Sequence, residues 1–220
     1  MKLSEKACNQ DEKFVVALDG PSASGKGAIG SALAQEFGLV YVQSSIVYRG
    51  LAYICLQKGI SSGNTHAIIK LSETEDVISE VRSVDLNFEK IGEFASEISV
   101  LPEVRRNLGE YLTHLIKTTP RIVMEGRDIG TIVAPNADLK IFITANVEIR
   151  AERRFKQLIL EGKECTLGAV LASLRGRDAR DSSRSVAPLE AASDALVVDT
   201  SSLSPEEVVS KIKDFVACRV

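Results

Sequence analysis

Gly20-Pro21-Ser22-Ala23-Ser24-Gly25-Lys26-Gly27 follows directly on the apolar run Phe14-Val15-Val16-Ala17-Leu18-Asp19. It leads into a helical pattern with Ile29, Leu33, Ala34 and Phe37 on one face. That is G-x-x-x-x-G-K between a buried strand and a helix, the context that gives the motif its meaning. Glycines let the main chain curl so that successive N–H groups point at phosphate oxygens. The helix N-terminus adds partial positive charge, and Lys26 reaches the β- and γ-phosphates. The loop is expected to bind a nucleoside triphosphate.

Three further clusters have residue types suited to phosphate chemistry. Glu125-Gly126-Arg127-Asp128 follows a second buried run at 121–124. A carboxylate at a strand tip beside a phosphate loop is where Mg²⁺ takes a ligand, directly or through water, so Glu125 is the metal candidate. Gly126 leaves room for a close turn. A bare charged turn would look similar, but 125–131 is dense in functional groups for a structural loop. Arg49, in Ser44-Ser45-Ile46-Val47-Tyr48-Arg49, lies just past another strand whose carboxyl end a parallel sheet brings near the phosphate loop. Its forked guanidinium suits an acceptor phosphate; a solvated arginine on a helix is the other reading.

Arg177, Arg180, Asp181 and Arg184 recur at i, i+3, i+4 and i+7, one stripe of a helix. Arg177 and Asp181 alone would make an ordinary surface pair. Three arginines on one face repel unless anions are nearby, and phosphoryl transfer supplies anions and needs charge neutralised. An arginine-bearing flap that closes over the γ-phosphate would also exclude water.

The elements that must position these groups alternate. Strand signals fall at 14–19, 39–42, 121–124, 139–144 and 195–199, with helical patterns at 25–37, 45–58, 102–117, 146–161, 166–180 and 205–217. Short buried strands alternating with helices predict an α/β fold, a five-stranded parallel sheet flanked by helices, with ligands at the carboxyl ends of the strands. Two segments break the alternation: a polar stretch from 59 to about 99, with a short strand candidate at 84–88, and the arginine-rich 150–184. Both read as flaps over the ends of the cleft.

The net charge of −3 does not suggest a polyanion, so no nucleic-acid partner is expected. No stretch approaches the roughly 18–20 apolar residues that cross a bilayer, so no membrane is expected. Residues 1–13 lack the apolar core of a signal peptide and read as a frayed tail. Cys8, Cys55, Cys165 and Cys218 form no C-x-x-C pair, and His66 and His114 have no metal-ligand neighbour at helical spacing. A reducing cytoplasm and a monomer are the expectations.

The combination of 20–27, Tyr48-Arg49, Glu-Gly-Arg-Asp-Ile-Gly-Thr at 125–131, Arg-Asp-x-Arg-Asp-x-x-Arg-x-Val-Ala-Pro-Leu at 177–189 and Asp-Ala-Leu-Val-Val-Asp at 194–199 resembles the bacterial cytidylate kinases. The resemblance covers roughly 14–216. It implies a P-loop kinase fold with a nucleotide-binding core (14–58, 102–149 and 185–220), a small NMP-binding insert (about 59–101) and a helical lid (about 150–184). It implies transfer of the γ-phosphate of ATP to CMP or dCMP with Mg²⁺. Gly20, Pro21, Ser22, Ala23, Ser24, Gly25, Lys26, Gly27 and Ala28 then hold ATP, and Ser44, Arg49 and Arg127 the acceptor phosphate. Arg177 and Arg184 converge on the transferred group and the acceptor; with Lys26 and Arg127 they form the catalytic set. Ser96, Arg105 and Asp128 match positions that read cytosine, and Asp181 matches one that accepts from ribose hydroxyls.

The chain departs from the family pattern at three places. Lys26-Gly27-Ala28 stands where Lys-Gly-Thr is usual, which removes a hydroxyl near phosphate and metal. Gln43 and Ser45 replace a usual Asp and a frequent Gly, and the segment near 88–95 lacks the β-rich portion of long bacterial members. Two other readings stay open: a P-loop kinase for another small acceptor, such as a different nucleoside monophosphate or shikimate, and a nucleotide-binding regulator without turnover, suggested by Ala28. A GTP switch is disfavoured because no N-K-x-D signature is present.

Overall fold

The computed structural model describes residues 3–74, 77–81, 84–86 and 88–218. The chain runs α1 (Leu3–Cys8), β1 (Phe14–Asp19), α2 (Lys26–Phe37), β2 (Val40–Gln43), α3 (Ser45–Gln57), α4 (Thr65–Thr74), α5 (Val77–Val81), α6 (Glu89–Ile98) and α7 (Pro102–Thr118). It continues with β3 (Arg121–Gly126), a π-helical turn at Ile129–Val133, β4 (Leu139–Thr144), α8 (Val147–Leu160), α9 (Leu167–Ser183), β5 (Leu196–Asp199) and α10 (Pro205–Cys218).

The five strands form one parallel sheet in the order β2-β3-β1-β4-β5. β1, at its centre, is buried at every position, because helices cover both faces; that is why its sequence is an unbroken apolar run rather than an alternation. On one face Phe14, Val16 and Leu18 pack with Leu33 of α2 and Ile212 of α10. On the other, Val15 and Ala17 pack with Leu51 of α3, Phe94 of α6 and Leu112 of α7. Burying each such side chain fully contributes about 1.5–3 kcal/mol. α8 and α9 form a hairpin with a small core of its own, Ala151, Leu158, Val170 and Leu174, which Ala23 touches. Strand register brings the chemistry to one edge of the sheet: Asp19 lies level with Gly126, and Gln43 with Glu125. No helix among the described residues is long and apolar enough to cross a membrane.

Two expectations are overturned. The N-terminal segment is not a frayed tail from Leu3 onward. Leu3 and Ala7 pack into the core, Lys6 pairs with Asp138, and the buried Arg121 guanidinium donates to carbonyls of Ala7 (2.8 Å) and Asn9 (2.6 Å). Among the described residues the stretch from 59 carries helices α4, α5 and α6, and Val84, Asp85, Leu86 and Phe88 belong to no strand; Asn87 lies outside the described residues. A helical period was present in α6, which buries Ile91, Phe94, Ala95 and Ile98 at i, i+3, i+4 and i+7. Smaller shifts move β2 one residue on, carry β3 to Gly126, and carry α9 to Ser183 instead of ending near 180.

Candidate active site

The loop after β1 has main-chain geometry that dictates its glycines. Gly20 sits at φ +148°, and a Cβ there would stand 2.0 Å from the Ile143 carbonyl oxygen. Gly25 turns the chain into α2 at φ +96°. Gly20, Pro21 and Ser24, expected to hold ATP, do not line the cavity described below. The Ser24 hydroxyl donates to the Pro21 carbonyl at 3.0 Å. Lys26 is buried, and its Nζ donates to that same carbonyl at 2.7 Å. Burial first, then the neighbouring Arg127 charge, brings the Lys26 ammonium down to about 7. Asp19 is pushed up to about 6 by burial, against the pull of hydrogen bonds from the main-chain N–H groups of Gly130 (2.7 Å) and Ile129 (2.8 Å). Those two bonds tie the turn after β3 to the end of β1.

Glu125 stands beside the first turn of α2. Its Oε2 accepts from the Tyr41 hydroxyl at 2.8 Å, and that hydroxyl accepts from Gln43 Nε2 at 2.9 Å. A Cβ on Gly27 would lie 3.6 to 4.0 Å from all three side chains. Among the described residues no group of three or more His, Cys, Asp or Glu could cage a metal ion. A cation that keeps several waters and takes one carboxylate plus phosphate oxygens fits this donor set, and Mg²⁺ behaves that way.

A cavity of about 950 Å³ runs from Ser22, Gly25, Gly27 and Ala28 at one end to Ser96 and Arg105 at the other. Arginines from separate elements project into it. Arg49 donates to the Leu86 carbonyl at 2.6 Å. Its guanidinium meets that of Arg177 over Gly92, where a Cβ would stand 2.8 Å from Arg49 Nη2 and 3.3 Å from Arg177 Nη2. Burial, then the Arg177 charge, lowers Arg49 to about 10. Arg127 bridges the two ends, donating from Nη2 to the Ser22 hydroxyl (2.7 Å) and from Nε to Asp181 (3.0 Å).

Arg184, the residue that ends α9, donates from Nε to the Asp181 carbonyl at 3.2 Å. Its Nη2 is buried and has no hydrogen-bond partner among the described residues. Burial, then Arg105, holds its pKa below the ordinary arginine value. A buried donor without an acceptor is costly unless a ligand supplies one.

At the far end Arg105 is ion-paired with Asp128, donates to the Ser99 carbonyl at 3.2 Å and lies over the Tyr48 ring. Ser44 is buried nearby, its Oγ 2.7 Å from where a Cβ on Gly126 would sit, so Gly126 is needed for close approach. Ser96 accepts from Arg180 Nε at 3.1 Å. The surface pair of Arg177 with Asp181 does not form: Arg177 turns to Glu89 and Glu93 of α6, and Asp181 to Arg127 and Arg184. Asp19, Tyr41, Glu89 and Glu93 escaped the sequence reading. The signal for the last two was an i, i+4 acidic pair in a chain with a complementary basic stripe.

Of the predicted residues, Ser22, Ala23, Gly25, Lys26, Gly27 and Ala28 line the cavity, and so do Glu125 and every residue assigned to the acceptor. The arrangement can hold two anions end to end, with guanidinium charge between them.

Comparison with known proteins bears on what those anions are. The family model described as cytidylate kinase matches residues 16–217. A cytidylate kinase of Rickettsia bellii is 55% identical, with 97% of each chain covered, and one of Rickettsia akari is 53% identical over 99% of this chain and 98% of its own. Among solved structures, a shikimate kinase from Bacteroides thetaiotaomicron superposes with a TM-score of 0.50 at 12% identity, covering 93% of this chain and 98% of that one. A gluconokinase from Sinorhizobium meliloti gives a TM-score of 0.50 at 14% identity, covering 93% and 92%. At such identities these two report the fold alone. The near-complete match at over half identity reports more: this chain belongs to the cytidylate kinase family.

Proposed function

We propose that the chain transfers the γ-phosphoryl group of ATP to CMP or dCMP, giving ADP and CDP or dCDP. Family membership supports the reaction. The observation that carries the site assignment is the buried Nη2 of Arg184, which has no partner among the described residues, in a cavity where Arg49, Arg127 and Arg177 also converge.

The triphosphate lies against the main-chain N–H groups of Ser22, Ala23 and 25–28, and Lys26 leaves the Pro21 carbonyl for a phosphate oxygen. Ser44, Arg49 and Arg127 hold the acceptor phosphate in line with it. Lys26, Arg127, Arg177 and Arg184 neutralise the charge that spreads over the moving phosphoryl group, which is the main catalytic contribution available in such transfers. Glu125 would hold Mg²⁺, directly or through water, and the ion would supply further charge neutralisation. Arg105 and Asp128 form a donor and acceptor pair of the kind cytosine requires, with Ser96 beside them, and Asp181 accepts from the ribose. No dedicated base is assigned, because Asp128 is committed to Arg105.

About 59–101 acts as the acceptor-binding insert and about 150–184 as a lid, both moving against the core. A cytoplasmic monomer with no nucleic-acid or membrane partner completes the reading.

The test is ADP formation with CMP, dCMP, UMP, AMP, GMP and shikimate. Turnover confined to the cytosine nucleotides is the expected result. Preference for another acceptor overturns the assignment of Arg105 and Asp128, and turnover with none leaves a protein that binds nucleotide without catalysis.

A further inference from the structure

Two carboxylates of α6 collect the polar groups of the α8–α9 hairpin. Glu89 accepts from Arg177 Nη2, from Arg154 Nη2 at 3.2 Å and from the Ser173 hydroxyl at 3.3 Å. Glu93 accepts from Arg177 Nε at 3.3 Å and from Arg180 Nη2 at 2.5 Å. Further along the same helix, Ser96 accepts from Arg180 Nε. One exposed ion pair contributes under about 1 kcal/mol, but these contacts form a network around Arg177, whose side chain is only 10% exposed. Burial raises the Arg177 contribution because the pair is screened less.

The network joins groups with different tasks. Ser96, at the acceptor end, and the two carboxylates share α6, so α6 cannot shift without carrying all three. Arg177 is the guanidinium that meets Arg49 over Gly92, and Glu89 offsets the repulsion between those two cations. The carboxylates use Nε and Nη2 of Arg177, so a phosphate oxygen can still take Nη1.

On the acceptor and donor assignments above, we infer that Glu89 and Glu93 are positioning residues that clasp the α8–α9 hairpin to α6, so that filling the acceptor end and closing over the triphosphate are energetically coupled. Each nucleotide then tightens binding of the other, and by linkage the factor is the same in both directions.

The test is calorimetric. The Kd of CMP is measured with and without a saturating non-hydrolysable ATP analogue and Mg²⁺. In the wild-type protein the analogue tightens CMP about 5-fold or more, the lower end of ordinary coupling. In the Glu89→Gln/Glu93→Gln double variant the factor falls below about 2-fold. Glu89→Asp/Glu93→Asp, which keeps the charges, restores part of the coupling. An unchanged factor in the glutamine variant overturns the clasp, and so does a wild-type protein with no coupling. Tighter CMP binding by the variant without analogue also overturns it, because the carboxylates would then be competing with the acceptor phosphate. A wild-type protein that binds neither CMP nor dCMP overturns the acceptor assignment instead; the same measurement with the acceptor selected by ADP formation then decides the clasp.

Discussion

Lys26 Nζ donates to the Pro21 carbonyl at 2.7 Å, so the ammonium of the phosphate loop rests on the main chain of that same loop. Two arginines lean on the same turn: Arg127 on the Ser22 hydroxyl and Arg150 on the Ser22 carbonyl at 3.0 Å. The loop is therefore held in shape by three cations, Lys26, Arg127 and Arg150. That preorganisation lowers the ordering entropy of binding. Among the described residues no carboxylate is hydrogen-bonded to that buried ammonium, and burial lowers its pKa to about 7.

Binding of a triphosphate should therefore take up a proton at alkaline pH. Above about 7 the free protein holds Lys26 largely neutral, whereas phosphate oxygens favour the ammonium. Titrating an ATP analogue at pH 8 in buffers of different ionisation enthalpy should show uptake of most of one proton, and at pH 6 almost none. Lys26→Met should abolish the difference. The same shift acts on ligand-free stability. The unfolded chain, with Lys26 at its ordinary 10.5, binds more protons between about 7 and 10.5, so this group's contribution to stability rises with pH across that window. Binding heats independent of buffer at pH 8 would refute the assignment.

Arg184→Ala should lower kcat at least about tenfold, with a smaller change in KM. A guanidinium that meets its acceptor only as charge develops contributes more than about 1.4 kcal/mol to the barrier. Its buried and unpartnered Nη2 motivates the expectation. Steady-state kinetics decide it: unchanged kcat with raised KM would make Arg184 a ground-state binding group.

Much of the site was legible because its causes are local. The glycines at 20 and 25 are set by main-chain geometry within the loop, and Glu125 by the end of its own strand. What escaped depends on partners far away in the chain. The i, i+4 spacing of Arg177 and Asp181 favoured a pair, yet Glu89, 88 residues upstream, takes Arg177. Helix α1 has no amphipathic period long enough to announce itself. Its Lys6 and Ala7 carbonyls accept from Arg121, more than a hundred residues away. Tertiary contacts of that kind leave no pattern in a short window.

Asp128→Asn should narrow the preference for CMP over UMP. The carboxylate offers acceptors only, whereas an amide also donates and suits the 4-oxo group of uracil as well as the amine of cytosine. The quantity to measure is the ratio of kcat/KM values for the two acceptors. The variant also weakens a buried ion pair with Arg105, so its Tm should fall, and the comparison belongs well below that Tm. An unaltered ratio in folded protein would place base recognition elsewhere.

Arg121 should prove a stability residue with no part in the reaction. It opens β3 at the end away from Glu125, is 7% exposed, and spreads its donors over main-chain oxygens. Those include Ala7 and Asn9 near the end of α1 and Phe37 at the end of α2, where helix C-terminal carbonyls carry partial negative charge. Arg121→Met removes the donors and leaves buried carbonyls unpaired, a loss of about 3–5 kcal/mol, or roughly 6–20 °C in Tm for a chain of this size. Deleting residues 1–12 removes α1 and the acceptors at Lys6, Ala7, Asn9 and Glu12 while leaving those at Phe37 and Gly38, so its Tm should fall as well. In the folded temperature range both variants should keep wild-type kcat, which separates this role from that of the arginines in the cavity. A truncation that melts with the wild type would return the N-terminal segment to the status of an idle tail, an outcome that the packing of Leu3 and Ala7 against the core opposes.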